Sequence, residues 1–193
     1  MQYNTLRNQV IIEGVIVAEN ESEYGIRITI ATNRMSKNHN KVSDYVLVWF
    51  ENEMENIFRN SGFMIFDRIR IIGEVYSKRI VSKKFNATSY TQFIVAKNFL
   101  NPETYNDKNK FVLSGTLERL TETEKGYVMA VNLSDKEKNI TNYPQVYTFG
   151  WKPKNMNIGD TVIISGKIQS YIKKLDGKKI YAQKFIATKI VKA

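Results

Sequence analysis

Tyr45, Leu47 and Trp49 alternate with Val46, Val48 and Phe50 along DYVLVWF (44–50). Much further along the chain, Tyr147, Phe149 and Trp151 alternate with Val146 and Thr148. Such alternation marks a strand with one buried face. Placing the valines and Thr148 inside sends both aromatic rows outward, the first beside Arg27 of GIRITIATN (25–33). Flat rings at i, i+2 and i+4 on a solvent face form a platform on which unstacked bases can lie, each worth about 1–3 kcal/mol. Two other readings stay open. A one-residue slip in parity returns these rings to the core. Alternatively, they pack between two parts of the chain or in a dimer interface.

Charge surrounds these rows. The segment SKRIVSKKFNATS (77–89) holds Lys78, Arg79, Lys83, Lys84 and Phe85, and its counterpart holds Lys173, Lys174, Lys178 and Lys179. RMSKNHNKVS (34–43) adds Arg34, Lys37 and Lys41, and DRIRIIGEVY adds Arg70 and Tyr76. Read as loops around an aromatic face, these cations can follow a phosphate backbone, and Phe85 adds one more ring. A charged loop can also be merely solvated, but here basic loops fall at the same place twice. The formal net charge of +10, with 11 Tyr, 10 Phe and 2 Trp, points the same way, to a polyanionic partner with flat groups to stack.

Catalytic and metal chemistry find little support. There is no cysteine, hence no disulfide, thiol nucleophile or thiolate metal site. His39 is the single histidine and lies in a polar segment, where a solvated role suffices. Glu51, Glu53 and Glu55 open a predicted helix and complement its dipole. No phosphate-binding glycine loop or nucleophile elbow is present, and Asp176-Gly177 is a hairpin signal. No cofactor is expected. No apolar run is long enough to span a bilayer, and MQYNTLRNQ has no apolar core of a signal peptide. A cytoplasmic protein with no membrane partner is the expectation.

The elements that hold these residues occur twice. VIIEGVI (10–16) is answered by FVLSGTL (111–117), DRIRIIGEV (67–75) by DTVIISGKI (160–168), and YTQFIVAKNFL (90–100) by YAQKFIATKIV (181–191). A repeat of roughly 95 residues is domain-sized and too long for a solenoid. The expected domains are 1–100 and 110–193, with 101–109 as linker. In the first, strands fall near 9–19, 25–33, 44–50, 68–78 and 90–99. A short helix over 53–62 has Met54, Ile57 and Phe58 on one face and stops at Gly62. In the second, strands fall near 110–119, 127–133, 145–151, 160–171 and 180–191. KPKNMNIGD (152–160) is too short there for a full helix. Five strands with a helix between the third and fourth is the order of the OB-fold, a Greek-key barrel. Glycines within strands 1 and 4 suit its strongly bent strands. The fold class is therefore all-β, with two tandem OB-folds.

On NQVIIEGVIVAE (8–19), GIRITIATNR (25–34), DYVLVWFENEMENI (44–57), DRIRIIGEVYSK (67–78) and YTQFIVAKNFL (90–100), the first half resembles the bacterial single-stranded DNA-binding proteins. The second half resembles the same domain more weakly. The resemblance implies a base-stacking role for Trp49, at the family's aromatic near the end of strand 3, and matches the family's strand 1 glycine to Gly14. Some members carry two such domains and dimerise. The family's acidic, hydrophobic-tipped tail has no counterpart in TKIVKA, which argues against recruiting partners through it. The Lys/Asn/Ile-rich composition suits a phage or plasmid protein.

The leading expectation is a non-enzymatic protein, monomer or homodimer, that coats single-stranded DNA in replication, recombination or transfer. Tyr45, Trp49, Tyr147, Phe149 and Trp151 would stack bases. The alternatives are an RNA-binding OB protein and a protein-interaction module of a replication complex.

Overall fold

The computed structural model of the chain describes residues 8–22, 25–35, 40–82, 87–102, 105–134, 140–175 and 178–193. Of these, 79–82, 87–90, 173–175 and 178–180 are described by their backbone alone.

The first half contains β1 (Asn8–Ser22), β2 (Gly25–Met35), β3 (Lys41–Phe50), α1 (Asn52–Arg59), β4 (Arg68–Ser82) and β5 (Ala87–Leu100). β1 pairs antiparallel with β2, β2 with β3 and β4 with β5. β3 meets β5 in parallel at Val48 and Trp49, and β4 returns to β1. The circuit is a closed five-stranded barrel with a helix between its third and fourth strands. Period-two patterning fills it: Ile26, Ile28 and Ile30 of β2 and Val46, Val48 and Phe50 of β3 are buried. Phe58 of α1 plugs one end, stacked on Phe50 with ring centroids 4.3 Å apart.

The second half contains β6 (Lys108–Thr123), β7 (Gly126–Asn132), β8 (Gln145–Tyr147), β9 (Thr161–Leu175) and β10 (Lys178–Lys192). Its pairings follow the same circuit, β6–β7, β7–β8, β8–β10 in parallel, β10–β9 and β9–β6. Residues 148–160 form no helix.

The halves share a sheet. β1 lies antiparallel beside β6, from Asn8 opposite Leu113 to Glu13 opposite Lys108. Away from this seam, three pairs of hydrogen bonds cross between the halves, each pair repeating one pattern in both directions. Ser170 N donates to Asp44 Oδ1 (3.2 Å) and Ser77 N to Asn142 Oδ1 (2.9 Å). Tyr45 N donates to Ser170 Oγ (3.0 Å) and Tyr143 N to Ser77 Oγ (2.7 Å). Leu47 N donates to Gln183 Oε1 (3.0 Å) and Gln145 N to Gln92 Oε1. The glutamines of the repeated Tyr-x-Gln motif thus satisfy backbone donors of the opposite half's third strand.

Several boundaries differ from the sequence expectation. The segments 34–43, 77–89 and the basic stretch after strand 4 of the second half were expected as loops. Instead β2 runs to Met35, β3 begins at Lys41, and two long hairpins extend to Ser82 opposite Ala87 and Leu175 opposite Lys178. Ladder pairing and β-branched residues such as Ile80 and Val81 outweigh the charge there. The helix ends at Arg59 with Asn60 as its cap. Gly62, at φ 79°, belongs to the turn beyond it, and Ile57 faces solvent rather than the core. β8 stops at Tyr147, short of 151. Thr148 Oγ1 donates to Trp151 O (2.8 Å) and accepts from Tyr127 N (3.0 Å), and Gly150 adopts φ 74°, which ends the strand in a turn.

Candidate nucleic-acid interface

Parity along β3 places Tyr45, Leu47 and Trp49 on the outer surface, where Arg27 sits opposite Trp49 in the β2–β3 register. The corresponding residue of the second half is Tyr147, opposite Val128 of β7. The outer surface of each third strand faces the other half. A cleft of about 320 Å³ results, in which Arg27, Trp49 and Phe93 of the first half meet Tyr147, Tyr171 and Lys184 of the second.

Cations sit over rings on both walls. The Arg27 guanidinium lies 5.5 Å from the Trp49 ring centroid. Lys184 Nζ lies 5.0 Å from the ring of Tyr147 and 4.8 Å from that of Tyr171. Both geometries fall within cation–π range. Arg27 Nε is buried without a hydrogen-bond partner, an unsatisfied donor that costs free energy until an acceptor reaches it. Burial pushes the Tyr147 hydroxyl above its ordinary pKa, so the ring stays neutral. An aromatic, cationic, water-accessible cleft of this kind can sandwich planar rings and attract phosphate oxygens. It holds no paired carboxylates. Among the described residues, no group of histidine and acidic side chains could hold a metal.

The remaining sequence candidates scatter. Tyr45 is 37% exposed, with its ring centroid 5.8 Å from that of Tyr181, so it contributes to the seam between the halves. Phe149 and Trp151 are surface-exposed but lie in the turn after β8, out of row with Tyr147. Arg34 is paired with the buried carboxylate of Asp44 at 2.5 Å. Arg70 donates to Glu13 Oε2 at 2.7 Å, where Lys108 also approaches at 3.2 Å. Tyr76 donates to Glu74, and its ring stacks on Phe93 at 6.0 Å. Burial, reinforced by Glu74, pushes the Tyr76 hydroxyl above its ordinary pKa. Lys41 and Lys78 are exposed on β3 and β4. The side chains of Arg79, Lys173 and Lys174, and Lys37, Lys83, Lys84 and Phe85 altogether, lie outside the described residues. Sequence reasoning did not single out Phe93, Tyr171, Tyr181 or Lys184 as site residues. The repeated Tyr-x-Gln motif was the one signal that pointed to this wall, since it carries Tyr181 and lies beside Phe93 and Lys184.

No family model matches the chain, and no curated protein matches it in sequence. Its fold, by contrast, is that of solved single-stranded DNA-binding proteins. One is a deletion mutant of the single-stranded DNA-binding protein from Thermus aquaticus, with TM-score 0.70 and 15% identity over 97% of this chain and 95% of that one. The wild-type Thermus aquaticus protein gives TM-score 0.68 and 15% identity over 97% of this chain and 93% of that one. Among the described residues, no helix is long and apolar enough to cross a membrane.

Proposed function

We propose that this chain binds single-stranded DNA with little sequence preference, through the cleft between two OB-fold domains, 1–100 and 110–193, joined by the linker 101–109. The observation that carries this reading is the meeting of Trp49, with Arg27 over its ring, and Tyr147, with Lys184 over its ring, across one cleft. The fold shared with the Thermus aquaticus proteins supports it. Bases stack on Trp49, Tyr147 and Tyr171, and lysines and arginines of the hairpins neutralise phosphates. Stacking reads no base edge, so the binding is sequence-tolerant. The chain acts as a coat for exposed strands in replication, recombination or transfer and performs no reaction of its own.

The test is oligo-dT affinity at fixed salt. Trp49→Ala and Tyr147→Ala are each expected to weaken binding by at least about 1 kcal/mol with the fold intact. Unchanged affinity in both variants contradicts the cleft as the binding site. A matched RNA oligomer that outcompetes the DNA reassigns the partner to RNA.

A further inference from the structure

We propose that the groove beside Phe66 and Tyr105 is a second base-stacking subsite, where a base of the strand held by the cleft lies against exposed rings next to Arg68. This inference rests on the nucleic-acid reading.

Arg68 repeats the signature of Arg27. Among the described residues, two buried side-chain nitrogens have no hydrogen-bond partner, Arg27 Nε and Arg68 Nε. Both guanidinium groups lie over an aromatic ring. Arg27 is 5.5 Å from the Trp49 centroid, and Arg68 is 6.0 Å from that of Tyr105. Arg68 Nη2 donates to Asp107 Oδ1, and Asp107 Oδ2 accepts from Asn33 N, both at 2.7 Å. The guanidinium is thereby anchored, while its Nε stays unsatisfied until an acceptor reaches it.

Aromatic rings stand in water around this cation. Phe66 is 80% exposed and Tyr105 92% exposed, and both line a groove of about 570 Å³ together with Phe63 and Arg68. Phe63 is anchored edge-on to Phe99, with centroids 5.7 Å apart. Phe66 holds φ 79°, a left-handed backbone that bulky residues rarely adopt. The second half builds the same turn with Gly159 at φ 92°. Phe66 N donates to Ile16 O and Gly159 N to Leu117 O, both at 2.8 Å. Two residues further on, Thr161 stands where the first half has Arg68. The turn therefore needs neither the ring nor the cation. A strained backbone that displays an aromatic ring is a feature of binding surfaces rather than of a folding core.

The chemistry and the position of the groove identify its occupant. Asp67 lines it beside Arg68, so the opposed charges make it a poor site for a phosphate. Rings and one unsatisfied donor suit the face and edge of a base. The groove also lies close to the seam between the halves. Asp107 joins Arg68 to Asn33, and Asn33 stands opposite Ser43 of β3. The next residue, Asp44, accepts from Ser170 N of the second half. A strand that leaves the cleft past the exposed ring of Tyr45 can continue to this groove.

Photocross-linking of the full chain to oligo-dT tests this, with 5-iodouracil placed at each position in turn and the attached residues mapped by mass spectrometry. Cross-links to Phe66 or Tyr105 are expected from positions other than those that reach Trp49 or Tyr147. Tyr105→Ala removes a solvent-exposed ring, and Phe66→Gly relaxes the backbone, so both keep the fold. Each is expected to weaken oligo-dT binding at least about fivefold. Cross-links that reach the cleft but neither Phe66 nor Tyr105 overturn the subsite, leave the cleft reading standing and open the groove to a peptide partner. Affinity unchanged in both variants overturns it equally. A chain that binds no oligo-dT overturns the subsite and the nucleic-acid reading together.

Discussion

Trp49 and Tyr147 owe their outward placement to their neighbours. Inward Val46 and Val48 fix Trp49 outward, and inward Val146 does the same for Tyr147. This much was legible in the alternation of residue types. The fate of the arginines was not, because a strand sequence does not reveal its cross-strand partner. Arg70 reads as a free cation but is held by Glu13, which is fully buried. Burial alone would raise the Glu13 carboxyl, yet hydrogen bonds and charge from Arg70 and Lys108 outweigh it and hold the group below its ordinary pKa. Its stabilisation is therefore complete above the ordinary carboxylate value and is lost as pH falls through the lowered one. Glu13→Gln is expected to cost about 3 kcal/mol at neutral pH, because two cations lose their buried partner. Urea unfolding at pH 7 and pH 3.5 checks this, and the gap between variant and wild type should narrow at the lower pH.

At the scale of elements, the repeated glycines carry most of the fold's signature. The sequence places them at bends, and the structure adds a steric reason. A Cβ on Gly14 would stand 2.2 Å from Ala31 O, and one on its counterpart Gly115 would stand 2.3 Å from Asn132 O. Each sits where the neighbouring strand crosses close by, next to a register shift, at Ile16/Ala18 and at Leu117/Arg119. Gly14→Ala must push two strands apart and is expected to cost about 3 kcal/mol, measured by thermal or urea unfolding. The strands after residue 78 were hidden by their lysines, which read as loop when only local charge is considered. Ladder hydrogen bonds between the two arms hold that stretch extended. The absence of a helix over 152–160 was legible from the shortness of that segment, but the early end of β8 depended on a side-chain bond from Thr148.

At the scale of the whole molecule, the duplication visible in the sequence becomes two five-stranded circuits that share the β1–β6 seam. What the sequence could not show is that the outer faces of the third strands turn toward each other. The reason lies in pairs such as Leu47 N with Gln183, and Gln145 N with Gln92, more than fifty residues apart in the chain. Gln183→Ala removes acceptor and donor from both Leu47 backbone groups and is expected to cost about 1–2 kcal/mol. It should also weaken oligo-dT binding, since the cleft walls lose one of the contacts that hold them in place. A variant that loses stability but binds as the wild type would separate the seam from the cleft.

In the proposed binding mode the cleft between the halves holds the strand. Trp151→Phe leaves Trp49 as the sole tryptophan, so its fluorescence reports on that cleft alone. The measurement is a titration of this variant with oligo-dT at several salt concentrations. Strong quenching of Trp49, with log affinity falling against log salt by about 0.7 per phosphate contacted, is the predicted result. Tight binding that leaves Trp49 unquenched would place the strand elsewhere on the surface and contradict the account.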